Sequence, residues 1–315
     1  MAMDNLVVTP PPHLKSKEQT AIAMRDVLIA LAPISIAALV AFTYNALFNM
    51  AVCVGSAMFF EWAVRKARKK KVTLSDGSAA VTGLLLALLL PAKIHWLNMI
   101  IASFVAVVIA KELLGGLGRN IFNPALFGFV FILIGSGFLA SWTGHLGFLP
   151  GGFDGVQAAT PLAYIKHGLE GPVPSYAALL FANYGGAISE VGCFWILLGG
   201  AYLLYRKVIN WVIPATILAT VFILAYILGS DGLYHILAGG VMLGAFFMAT
   251  DWVTSPINRW GQVVFGLIIG IPIVLIRIYG APSGAVAYSI LIGNAFVPLL
   301  DRVFKPKRFG EVVAA

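Results

Sequence analysis

The sequence predicts an all-α integral membrane protein with about ten transmembrane helices in two inverted five-helix repeats and both termini in the cytoplasm. Three observations carry this expectation. Hydrophobic residues make up 60% of the chain and charged residues only 11%, far below the roughly 25% charged content of an ordinary soluble domain. Apolar runs of about 20 residues, the length that crosses a bilayer core of about 30 Å, recur from Met24 to Val303. The basic residues sit in short blocks between these runs, the pattern that orients a protein in a membrane. The net charge of +8 is therefore read as topology and contact with membrane lipid, with no role for nucleic acid.

The organisation follows directly. Residues 1–23 form a cytoplasmic tail without the apolar core of a secretory signal. Residues 24–303 form one membrane domain: a first repeat over 24–142, a polar loop over 143–189 and a second repeat over 190–303. A basic tail over 304–315 closes the chain.

The first apolar run covers 27–42 and the second 46–64, where six basic residues within 65–71 hold its end in the cytoplasm. The third run opens at Ser75-Asp76-Gly77 and stops at Pro91, with only 14 residues between Asp76 and Pro91. At 1.5 Å per residue that is roughly 21 Å, short of a full crossing. Ser75 and Asp76 are the N-cap candidates. The fourth run covers 96–110, and the fifth, 121–140, opens with Asn123-Pro124. Five more runs follow the loop, over 191–205, 208–228, 233–249, 263–278 and 285–303. With ten alternating segments and both termini inside, only Lys93, Lys166 and Arg277 of the 21 lysines and arginines fall on the outer side. Lys111 and Arg119 count among the cytoplasmic charges. The loop then faces the periplasm.

Five segments per half is an odd number, so the second half runs inverted relative to the first. Ser75-Asp76-Gly77 opens the third segment of one half and Ser230-Asp231-Gly232 that of the other. Each leads into a glycine-containing stretch, Thr82-Gly83 in one and Gly239-Gly240 and Gly244 in the other. Such paired segments mark either a membrane-embedded site at the repeat interface or close helix packing through small residues. Glu61, Asp76, Asp251, Asp301 and Arg277 map near segment ends, leaving Thr216, Thr220 and Asn294 as the polar residues of the middle. A wire of buried carboxylates is not expected.

Soluble-type catalysis finds no machinery here: there is no nucleophile elbow, no phosphate-binding loop and no zinc-binding histidine pair, so neither a catalytic residue nor a metal ligand is expected. Cys53 and Cys193, the only cysteines, read as buried thiols. His95, His145, His167 and His235 map to the outer side, where isolated interfacial histidines are commoner than haem ligands.

The distinctive stretch is Asp154-Gly155-Val156-Gln157-Ala158-Ala159-Thr160-Pro161-Leu162 in the outer loop. Alone it reads as a turn-rich loop. Together with Ser75-Asp76-Gly77, Gly118-Arg119-Asn120-Ile121-Phe122-Asn123-Pro124-Ala125, Ala249-Thr250-Asp251 and Thr254-Ser255-Pro256, however, it resembles the D-type subunits of Rnf-type ferredoxin:NAD⁺ oxidoreductases. These are relatives of the B-type subunit of the sodium-pumping NADH:quinone oxidoreductase, and the likeness covers essentially the whole chain. In that family a flavin transferase links FMN through its phosphate to a threonine within an acidic-x-x-hydroxyl-small-Ala-Thr motif. Asp154, Ala159 and Thr160 match it, Gln157 replaces the hydroxyl residue, Ala158 replaces Gly or Ser, and Gly155, Pro161 and Leu162 complete the stretch. The resemblance implies covalent FMN on Thr160 and a second, non-covalent riboflavin, for which Asn123, Thr82 and Gly83 are the candidate residues. It further implies residence in a bacterial inner membrane, A-, B-, C-, E- and G-type partner subunits, and electron transfer between ferredoxin and NAD coupled to Na⁺ or H⁺ translocation. Two rivals remain at this point: a small-solute channel or secondary transporter built on inverted repeats, and a purely structural membrane anchor.

Overall fold

Large apolar side chains cover much of the outside of this molecule: Ile36, Ile134 and Ile223 are all more than half exposed, while Glu61 and Lys111 are almost wholly buried. That inside-out pattern suits a lipid solvent, in which apolar faces carry no penalty and charge must be paired within. The computed structural model describes residues 17–135, 162, 174–181 and 187–305. Among them, four helices are long and apolar enough to cross a membrane by length and composition: α1 (Lys17–Phe42), α2 (Tyr44–Ala67), α11 (Arg259–Tyr279) and α12 (Ala285–Val303).

Between them lie α3 (Ser78–Leu89), α4 (Trp96–Phe104), α5 (Pro124–Gly135), α6 (Tyr176–Phe181), α7 (Cys193–Tyr205), α8 (Val212–Ile227), α9 (Gly232–Leu237) and α10 (Val241–Leu243). The α4 helix continues as a π-helical stretch over Val105–Glu112, and α10 does the same over Gly244–Met248. Among the described residues there is no strand beyond the isolated bridge between Pro91 and Ala187.

The expected eighth segment is broken. Its α9 half ends at Leu237, Ala238 is extended, and Gly239 and Gly240 take positive φ before α10 starts. Glycine alone enters that region without a Cβ penalty, so the Gly-Gly pair makes the break. In the first half, Gly77 ahead of α3 also takes positive φ. There the expected cap is shifted: Asp76 Oδ1 accepts hydrogen bonds from the Ser78 N–H and hydroxyl across Gly77, at 2.8 and 2.7 Å. Ser75 sits in a single 3₁₀ turn, Leu74–Asp76.

Small residues set the helix spacing. A Cβ on Gly83 would lie 2.7 Å from the Cys53 carbonyl oxygen of α2. Gly266 and Gly270 of α11 receive Thr216 and Thr220 of α8 in the same way. Thr216 and Thr220 donate their hydroxyls to carbonyls one turn back, Val212 and Thr216. Thr216 and Thr220 therefore serve helix packing.

Candidate functional site

One end of the bundle gathers a dense set of basic residues. The π-helical stretch before Leu113 widens the helix, with backbone N–H groups reaching five residues back from Leu113 to Val108 and from Gly116 to Lys111. Consecutive Lys111 and Glu112 thereby both turn inward, each 1% exposed. Lys111 Nζ donates to Glu61 Oε2 and to Ser78 Oγ, both at 2.7 Å. Thr73 donates to Glu61 Oε1 at 3.0 Å, and Arg65 bridges to Glu112 at 2.9 Å. Lys111, counted in the sequence among the cytoplasmic topology charges, is in the structure the buried centre of an ion-pair network.

Against this network lies a cavity of about 290 Å³. Its walls come from both halves of the chain: Ser78, Thr82 and Lys111 with Asn120 and Asn123 on one side, Phe246, Phe247, Thr250 and Asp251 on the other. The lining is mainly apolar with a few convergent polar groups, the usual make-up of a small-molecule site. Lys111 has three N–H bonds and two acceptors among the described residues, leaving one for a ligand. The Asn120 side-chain oxygen is buried without a hydrogen-bond partner among the described residues, an acceptor that a bound donor would satisfy. Asn123 anchors the floor. Its N–H donates to Asn294 Oδ1 at 3.1 Å and its amide to the Met248 carbonyl at 3.3 Å, while Asn294 donates to the Thr254 carbonyl at 2.8 Å.

The opposite end holds a second polar cluster. The loop 187–190 closes over the end of α3, with the Ile188 and Ser189 N–H groups bonded to the Leu90 and Leu88 carbonyls at 3.1 and 3.0 Å. Asn49 adds a bond to the Pro91 carbonyl at 3.0 Å. Arg277 of α11 donates to the carbonyls of His235, Ala238 and Gly239, stapling the broken end of α9. A small cavity of about 50 Å³ lies beside it, lined by Leu162, Ser189, Glu190, Gly239, Gly240, Ser283 and Gly284 among others. Burial pushes the Glu190 carboxyl up to about 7 against the pull of Arg277 and the Ala187 backbone.

The sequence-derived candidates divide accordingly. Thr82 and Asn123 line the larger cavity; Gly83 faces the α2 backbone instead. Asp154, Gly155, Ala159, Thr160 and Pro161 lie outside the described residues. Leu162, the motif's last residue, is buried and lines the small cavity.

The model of the NQR2, RnfD, RnfE family matches residues 7–310. The chain belongs to that family. It is 40% identical over 311 residues to the D-type component of the Na(+)-translocating ferredoxin:NAD(+) oxidoreductase complex of Acetobacterium woodii, covering 97% of this chain and 96% of the relative. It is 37% identical over 322 residues to the proton-translocating counterpart of Clostridium ljungdahlii, covering 96% of each. It is 36% identical over 347 residues to the D-type component of the ion-translocating oxidoreductase complex of Shewanella denitrificans, covering 96% of this chain and 98% of that one. Membership, with the apolar helices, makes it a multi-pass membrane protein.

Within this family chain, sequence reasoning missed the Glu61–Lys111 ion pair and the buried Glu190. A buried charge near a helix end looks the same in sequence as one in water. The available signal was chemical: Lys111-Glu112 follows an unbroken apolar run with no loop residue between.

Proposed function

We propose that this chain is the D-type membrane component of an Rnf-like complex that couples electron transfer between ferredoxin and NAD to Na⁺ or H⁺ translocation. It relays electrons through FMN joined to Thr160. The whole-length likeness to D-type components of such complexes carries this reading. In it, ten segments form two inverted repeats with cytoplasmic termini in a bacterial inner membrane, and the Thr160 loop is periplasmic, where a flavin transferase modifies it. Supporting the inversion, α3 and α10 each follow a positive-φ glycine and run oppositely: Ser78 and Thr250 meet at the larger cavity, Leu89 and Gly240 at the smaller.

The larger cavity, at the cytoplasmic end of this topology, fits riboflavin in the chemistry of its walls. Phe246, Phe247 and the aliphatic lining suit a flat apolar ring, and Lys111, Asn120 and Asn123 suit its polar edge. Bound flavins supply one-electron and two-electron transfer; the protein supplies position and electrostatics. Nicotinamide and ferredoxin sites belong to the A-, B-, C-, E- and G-type partners. The Na⁺-translocating and proton-translocating relatives are about equally similar, so identity alone does not choose the ion.

The test is purification from cells with and without the transferase, followed by in-gel flavin fluorescence. A fluorescent band that requires both the transferase and Thr160 supports the proposal; a dark band from transferase-positive cells contradicts it. Solute flux by the isolated chain in flavin-free liposomes would favour the channel alternative, and unimpaired electron transfer after Thr160→Ala the anchor.

A further inference from the structure

Glu190 is a buried carboxyl that the relay does not use. It is 7% exposed, lines the small cavity beside Leu162, and its Oε2 lacks a hydrogen-bond partner among the described residues. A buried carboxylate normally has its lone pairs satisfied. A cavity of about 50 Å³ has room for a water, which needs more than about 10–15 Å³ of such space. Water there, with Ser189 beside it, gives a proton somewhere to go.

We propose that Glu190 is a proton-exchange site: it takes up one proton from water when negative charge arrives on the electron carrier of the adjoining loop, and releases it when that charge leaves. The carrier's identity rests on the Thr160 reading above. The balance is simple. The electron comes from the complex's own reduced donor and stays on the carrier. The proton comes from hydronium in the water at that surface: one O–H bond of hydronium breaks, leaving water, as one O–H bond forms on Glu190, and on reoxidation the Glu190 O–H breaks and water takes the proton back. The drive is electrostatic, because an unbalanced charge in a low-dielectric setting is costly and a nearby proton offsets it.

The groups around Glu190 suit this role. Arg277 of α11 supplies a fixed positive charge, and Cys193 of α7 and Tyr234 of α9 lie within its electrostatic reach. Asp231, the N-cap of α9, and His235 within it stand one step further off, interacting electrostatically with Tyr234 and Arg277 respectively. With desolvation raising the carboxyl to about 7, both protonation states are populated near neutral pH.

The experiment is infrared titration of the full chain in lipid nanodiscs, made without the flavin transferase. A protonated-carboxylic-acid carbonyl band should fade as pH rises through neutrality, vanish in Glu190→Gln and return with a moved midpoint in Glu190→Asp. A wild-type spectrum without any such titrating band overturns the proposal, and needs no variant to fold. In flavin-loaded protein, the pH dependence of the carrier's midpoint potential should flatten in Glu190→Gln; an unchanged slope also overturns it. Absence of covalent flavin, read by gel fluorescence, would count against Thr160 alone, because the infrared titration still decides for Glu190.

Discussion

Lys111 Nζ lies 2.7 Å from Glu61 Oε2, and both side chains are closed to solvent. A pair of this kind contributes little net stability when intact, yet removing one partner strands a buried charge at about 3–5 kcal/mol. Lys111→Met or Glu61→Leu alone should therefore lower the thermal midpoint sharply in detergent, while the double variant recovers most of the loss. Equal, additive losses in a double-mutant cycle would show that the two do not act together.

Gly83 tests the packing of α3 on α2. Its Cβ position falls 2.7 Å from both Cys53 O and Val54 Cα, backbone atoms that cannot swing away, so Gly83→Ala should cost about 1–3 kcal/mol. Gly55 has nothing within 4 Å of its Cβ position, and Gly55→Ala should be neutral or slightly stabilising. Thermal melts of the two variants side by side check this.

Asn294 holds Asn123 in place from the other half of the chain. Asn294→Leu leaves the Asn123 N–H unpaired in a buried site, worth about 1–3 kcal/mol. It should also reduce the non-covalent riboflavin recovered by extraction, as Thr82→Val should with less effect on stability. Covalent flavin should be unaffected in both.

Glu190 gives a pH-dependent stability. Its folded pKa, about 7, is raised from the ordinary value of 4.5 by burial. The folded state therefore holds more proton than the unfolded state between these values, and stability falls as pH rises through that window. Glu190→Gln should remove this loss, up to about 3 kcal/mol. Equilibrium unfolding of wild type and variant at acidic and neutral pH measures it.

Most helices are legible in the sequence because an apolar run reports its own length; the run 285–303 coincides with α12. The break at Gly239-Gly240 is legible as a glycine signal but not as geometry, since tertiary contacts such as the Arg277 staple decide whether glycines kink a helix. The site is legible only in pieces. Asn123 and Thr82 carry chemistry in their type, whereas the inward turn of Lys111 depends on a π-helical widening that apolar periodicity does not encode. Asn123 and Asn294 are 171 positions apart, and nothing local in either stretch pairs them.

The central claim is the phosphate-linked FMN on Thr160. Peptide mass spectrometry of protein made with the flavin transferase tests it most directly. The account predicts an FMN-phosphoryl adduct on the peptide containing Thr160, absent in Thr160→Ala; an unmodified Thr160 in transferase-positive cells would contradict it.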